Sequence, residues 1–205
     1  MTIQVKNSVK PIDYNESIKF LEKRVKDIIL GKKCELLWIL EHKTVYTAGS
    51  SANEKDLINK NLKLVITSRG GKITLHSPGQ KVIYFVLDLN KRGKNIRKLV
   101  SKIENCIIEI LKNYKINSFA DKKNIGVWVG QGINSEKIAA IGIRVKKWIA
   151  YHGFSINVSN DLSKYNGIVP CGIKDKGVTS LKKLGVKKYN NINKIIVKKF
   201  LNTFL

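Results

Sequence analysis

Three short stretches hold residue types that chemistry could use. In 167–181, GIVPCGIKDKGVTSL, Cys171 sits between Pro170, which stiffens the chain, and Gly172, which frees it. A thiol held in such a turn has a fixed pose without being smothered in the core. It becomes a nucleophile where a neighbouring cation or base favours the thiolate. A structural cysteine suits the same turn, and the local pattern alone leaves both readings open. In 68–80, SRGGKITLHSPGQ, Gly70 and Gly71 let backbone N–H groups line a concave loop, Arg69 offers a planar fork of donors and His76 a titratable ring. That set fits a loop for an acyl or carboxylate-bearing substrate; a hairpin turn with a solvated arginine fits it as well. In 137–158, KIAAIGIRVKKWIAYHGFSINV, the small residues Ala139, Ala140 and Gly142 allow something bulky to lie against a strand. Lys137 reads from composition as one more solvated lysine, and His152 beside Gly153 as a turn histidine or a site residue.

The elements that must position these stretches follow from periodicity. Residues 15–30 place Ile18, Leu21, Val25, Ile28 and Ile29 on one side of a helix, with Gly31 as its stop. The runs 35–42, 43–47, 62–68 and 81–89 read as strands, as does 124–130. A second helix is predicted over 96–114, its apolar face marked by Leu99, Val100, Ile103, Ile107, Ile110 and Leu111, with Cys106 on or beside that face as an inert small hydrophobe. In 137–158, Ile141, Ile143, Val145 and Ile149 fall on alternate positions of a strand, with a kink at Gly153. A helical turn at 160–165 and a closing helix at 191–205 complete the chain. Strands outnumber helices without a regular βαβ order, which predicts an α/β (α+β) fold: a mixed, largely antiparallel sheet with packed helices. No repeat, linker or boundary interrupts the chain, so one domain is expected across 1–205.

Length and composition bound the rest. The 205 residues suffice for a full core, and no apolar run approaches the roughly 20 residues of a membrane span. The start lacks an apolar signal core, and Cys34, Cys106 and Cys171 form no CxxC pair, so a soluble cytoplasmic protein in a reducing compartment is expected. The net charge of +24 invites a nucleic-acid reading. Lysine is nevertheless spread from Lys6 to Lys199, with abundant Ile and Asn and no interleaved aromatics, which points to compositional drift and to no nucleic-acid or membrane partner. The charge favours acidic protein partners.

Taken together, the three stretches resemble the octanoyltransferases of lipoate biosynthesis, the lipoyl(octanoyl) transferases. That family's central motif is close to RGGQVTYHGPGQ, beside RGGKITLHSPGQ here. Its KIAAIGIRV…W…HGFALNV, IVPCGI…VTSL and EHPPVYTLG are similar to KIAAIGIRVKKWIAYHGFSINV, IVPCGIKDKGVTSL and EHKTVYTAG. The resemblance spans roughly residues 35–182. It implies the α/β fold of the biotin and lipoate protein ligases, with Cys171 as acyl-accepting nucleophile and Lys137 as its partner. Octanoyl-acyl carrier protein would be the donor. Apo lipoyl-domain proteins, such as the glycine cleavage H protein and 2-oxoacid dehydrogenase E2 subunits, would be the acceptors. No cofactor or metal is implied. By the same carry-over Arg69, Gly70, Gly71, Lys72, Ile73, Thr74, Leu75 and His76 line the substrate site, with backbone N–H groups as oxyanion donors. Ala140, Ile141, Gly142, Gly153, Phe154 and Ser155 wall the acyl channel. Lys72, Leu75 and Ser77 depart from the Gln, Tyr and Gly usual in the motif. Two rivals are an ATP-dependent lipoate or biotin ligase on the same fold and a basic nucleic-acid-binding module.

Overall fold

The computed structural model describes residues 2–172 and 176–205, the Cys171 side chain excepted. In chain order its elements are β1 (Ile3–Asn7), α1 (Tyr14–Ile29), β2 (Glu35–Leu40), β3 (Val45–Ala48), β4 (Leu64–Ile66), β5 (Ile73–His76), β6 (Gln80–Asp88), α2 (Ile96–Lys112), β7 (Ser118–Ala120), β8 (Val127–Val129), β9 (Glu136–Lys146), β10 (Ile149–Asn157) and α3 (Ile192–Phe204). A seven-stranded sheet runs β1-β2-β6-β10-β9-β8-β7, and a three-stranded sheet runs β4-β3-β5. Among the strand pairs of the described residues only β1 against β2 and β3 against β4 are parallel, so the sheets are mixed and largely antiparallel, as the element order predicts.

Both faces of the large sheet are covered, which is why its central strands read as continuous apolar runs. In β6, Ile83, Phe85 and Leu87 face α2 and α3, where they meet Ile103, Ile107, Ile196 and Phe200. The alternate residues Val82, Tyr84 and Val86 face α1 through Leu21 and Val25. β2 divides in the same way, with Leu37 and Ile39 on one side and Leu36, Trp38 and Leu40 on the other. The helix starts are set locally. The Asp13 carboxylate accepts from the N–H groups of Asn15 and Glu16 at 2.8 and 3.1 Å, and Asn95 caps α2 through Lys98 N–H.

One expectation needs correction. Residues 137–158 are two antiparallel strands, β9 and β10, joined at Lys147 and Trp148, and are not one strand kinked at Gly153. Both turn residues adopt left-handed φ, 48° and 61°, the geometry of a tight two-residue hairpin. Such turns usually advertise themselves with Asn or Gly, and Lys-Trp carries no such signal. Gly153 lies inside β10, paired with Gly142 and Tyr84. The short edge strands β1 and β7 also escape the periodicity reading.

Candidate active site

The three chemistry-bearing stretches converge on one cavity of about 610 Å³ between the 68–76 loop and the β9–β10 ladder. The arrangement begins with an edge. β8 covers β9 only at its start, opposite Glu136, Lys137 and Ala139, and farther along β9 the glycine loop docks instead. There Gly70 N–H donates to the Ile143 carbonyl at 3.0 Å. Backbones approach so closely that a Cβ on Gly142 would stand 3.0 Å from Gly70 O and 3.3 Å from Arg69 Cδ. Close backbone approach therefore favours glycine at positions 70 and 142, and a φ of 89° favours it at 71. The Gly70 N–H is committed to β9, so it is not an oxyanion donor.

Arg69 is buried, and its guanidinium holds the loop in shape. Nη2 donates to the Thr47 carbonyl, the Thr47 hydroxyl and the Lys72 carbonyl at 2.8, 2.7 and 2.9 Å, and Nη1 to Gly70 O at 3.0 Å. Period-two alternation then sorts β5. Thr74 and His76 line the cavity, whereas Ile73 and Leu75 pack away from it against Ala48, Tyr165 and Ile168. Gly71 and Lys72 line the cavity, as do Ala140, Ile141, Gly142, Gly153, Phe154 and Ser155.

Lys137 is buried in the same wall. Its Nζ donates to the Ile125 carbonyl at 3.1 Å and stands 4.6 Å from the centre of the Trp128 ring. The Lys137 main chain also organises the segment that carries the cysteine. Its N–H donates to Gly177 O at 2.9 Å, and its carbonyl accepts from Thr179 N–H at 3.0 Å. Upstream of the cysteine, Val169 N–H donates to Asp56 O at 2.8 Å, and Gly172 N–H closes a short helical turn onto Val169 O at 2.9 Å. The described backbone on both sides of Cys171 is therefore tied down, the downstream side at Lys137 itself. Gly172 and Lys137 line one cavity. The Cys171 side chain lies outside what the structure describes.

The histidines are held neutral. Gln80 Nε2 donates to the Leu75 carbonyl at 3.3 Å, which fixes its amide so that Oε1 accepts from His76 Nδ1–H at 2.6 Å and leaves Nε2 as the ring's acceptor. Burial first, then neighbouring His42, pushes His76 down to about 3. His42 donates from Nδ1 to Ile12 O at 2.9 Å and accepts from Tyr84 Oη–H at 2.8 Å, and burial lowers its pKa also. His152 is buried at a strained φ of 68°, with its ring stacked 4.9 Å from Tyr151, and neither ring nitrogen has a hydrogen-bond partner among the described residues. Burial, followed by Arg69 and Arg144, brings it down to about 3. Burial therefore favours the neutral ring at all three, most strongly at His76 and His152. The cations at the cavity are lysine and arginine. Among the described residues no group of three or more His, Cys, Asp or Glu could hold a metal ion.

The lipoyl protein ligase A/B catalytic domain family matches residues 13–201. The octanoyltransferase of Ehrlichia chaffeensis is 47% identical over 196 residues, covering 94% of this chain and 92% of that protein. The octanoyltransferase of Anaplasma phagocytophilum is 44% identical, with 100% of each chain covered. This chain belongs to the octanoyltransferase family. It is an acyltransferase built on the fold of the lipoyl protein ligases. Lipoate-protein ligase A bound with ATP superposes with a TM-score of 0.77 at 12% identity, over 99% of this chain and 85% of that one. The bipartite lipoate protein ligase of Thermoplasma acidophilum gives 0.76 at 13%, over 99% and 84%. At those identities the likeness is one of fold.

The cavity has walls that motif reading misses. Val82 and Tyr84 of β6, Val100 of α2 and the 123–125 segment all contribute. The first three sit on runs that read simply as core; Lys123 has no pattern of its own, and Asn124 and Ile125, expected within a 124–130 strand, lie in the loop before β8 (Val127–Val129). A buried polar cluster beside His76 is also hidden in sequence: Gln80 Nε2 donates to Asn157 Oδ1 at 2.9 Å and to Tyr165 Oη at 3.0 Å across 77 and 85 positions.

Proposed function

We propose that this octanoyltransferase moves an octanoyl group from octanoyl-acyl carrier protein to the lysine of apo lipoyl domains through a thioester on Cys171. The observation that carries the reading is the double attachment of the cysteine segment to Lys137, whose buried ammonium shares a cavity with Gly172. The Cys171 thiolate attacks the thioester carbonyl of the donor, and the phosphopantetheine thiol leaves as the new Cys171 thioester forms. The ε-amine of the acceptor lysine then attacks that thioester, and the Cys171 sulfur leaves as an amide forms. Lys137 serves both halves: as ammonium it favours the thiolate and gives its proton to the departing phosphopantetheine sulfur, and as the amine so formed it takes the proton from the incoming lysine. Thioester to amide runs downhill, so neither ATP nor a metal enters.

The channel between β9 and the glycine loop receives the acyl chain, with Ala140, Ile141, Gly142 and Phe154 against it. Acceptors of this chemistry include the glycine cleavage H protein and 2-oxoacid dehydrogenase E2 subunits. The reading treats residues 1–205 as one catalytic domain acting in the cytoplasm. The test is intact mass after incubation with octanoyl-acyl carrier protein, beside Cys171→Ala. An octanoyl adduct on the unmodified chain, absent from the variant and discharged by an apo lipoyl domain, is expected. Transfer only with ATP and free octanoate would move the chemistry to that of a ligase.

A further inference from the structure

Lys72 occupies the motif position where the resembled family carries Gln, and its side chain turns onto the cysteine turn. Gly172 has a φ of 67°, and the three atoms nearest to a Cβ built there all belong to Lys72: Nζ, Cδ and, at 2.7 Å, Cε. The missing Cβ of Gly172 is the space that the end of Lys72 fills. On its other side the ammonium stands 3.6 Å from Asp56 Oδ2. That carboxylate is buried, and Oδ2 has no hydrogen bond among the described residues, so the Lys72 charge is what compensates its burial. Asp56 is fixed in turn to the cysteine segment, since its carbonyl accepts from Val169 N–H at 2.8 Å and neighbouring Leu57 bridges to Ile168. Carboxylate, ammonium and turn therefore close a loop: Asp56 holds Lys72, Lys72 covers Gly172, and the backbone before Cys171 returns to Asp56.

We propose that Lys72, tethered to Asp56, is a second cation of the cysteine turn and helps to hold the Cys171 thiol ionised. The proposal rests on Cys171 being the nucleophile. Lys72 is a positioning residue that acts through Cys171. The order of the charges decides the sign. Lys72 and not Asp56 supplies the atoms nearest to Gly172, so the turn faces the positive end of the pair. The other charged or titratable groups packed around the turn do not cancel it. His76 of β5 is neutral, Glu54 and Lys55 beside Asp56 are exposed, and Lys137 and Lys123 on the cavity wall are cationic. Lys174 and Asp175 follow in the sequence, outside the described residues.

The test is the pH dependence of iodoacetamide alkylation at Cys171, read on the peptide that contains it so that exposed Cys34 does not interfere. The full chain carries Lys72→Gln, Lys72→Met or Lys72→Arg, and no acyl donor is present. The expected result is an inflection raised by about one pH unit in the Gln and Met variants, with roughly tenfold slower alkylation near neutral pH, and an unshifted inflection in the Arg variant. Met keeps the stem, and so reports on charge if Gln perturbs folding. An unshifted inflection in both neutral variants, or an Arg variant shifted with them, overturns the proposal. Octanoyl transfer that survives Cys171→Ala would instead overturn the underlying reading, whatever the titration shows.

Discussion

A lysine amine is a poor partner for a thiol unless its environment holds it in place, and Lys137 is held at every level. Its backbone is shared between β9 and the segment after the cysteine, its Nζ donates to Ile125 O, and the Trp128 face lies under the charge. Lys137→Met keeps the stem and removes the charge. We expect at least a hundredfold loss of octanoyl transfer, a loss in the range of general acid–base contributions, while the melting temperature stays within a few degrees; single-turnover kinetics beside a thermal melt checks both. The buried histidines make a separate prediction. His76 and His152 titrate at about 3 in the folded chain and near 6.5 when unfolded, so below 6.5 the unfolded chain binds more protons. Their stabilising contribution is complete above about 6.5 and is lost as pH falls toward 3. The slope approaches about 1.4 kcal/mol per pH unit for each ring. Urea denaturation at several pH values reads it, and a flat stability between 6.5 and 5 would contradict the buried neutral rings.

At the scale of elements, the β9–β10 hairpin is where sequence and structure part. Lys147 and Trp148 both sit in the left-handed region, which costs roughly 1–2 kcal/mol per non-glycine residue. Replacing the pair by Asn-Gly should therefore raise stability by about 1 kcal/mol or more without touching the cavity, to be measured as a shift in the denaturation midpoint at unchanged slope. The same hairpin explains what was legible. Local motifs announced the glycine loop, Lys137, the small residues of β9 and the cysteine turn, because close backbone approach demands those residue types in short runs. The hairpin reversal stayed hidden because Lys-Trp gives no turn signal. The family motif carries Ile73 and Leu75 into the site as a block, although strand alternation alone separates them from Thr74 and His76. The buried Gln80–Asn157–Tyr165 cluster joins residues far apart in the chain, and no local pattern reports it.

For the whole molecule, the charge of +24 acquires a direction from the site. Lys72 and Lys123 line the cavity, so an acidic partner that docks at its mouth, as the proposed donor would, approaches a cationic wall. A protein with this charge attracts acidic partners over a distance set by the Debye length, about 10 Å at 0.1 M salt. Steering of this kind raises association rates and leaves the chemical step alone. Turnover with octanoyl-acyl carrier protein and with octanoyl-pantetheine separates the two effects, because the second carries the thioester without an acidic protein. Raising the salt from about 0.05 to 0.5 M should lower kcat/KM for the protein donor by roughly tenfold or more, with kcat at saturation unchanged. The pantetheine thioester should show little response. Equal loss for both donors would place the salt effect at the Lys72–Asp56 pair or elsewhere in the site, and would remove the surface charge from the account of donor recognition.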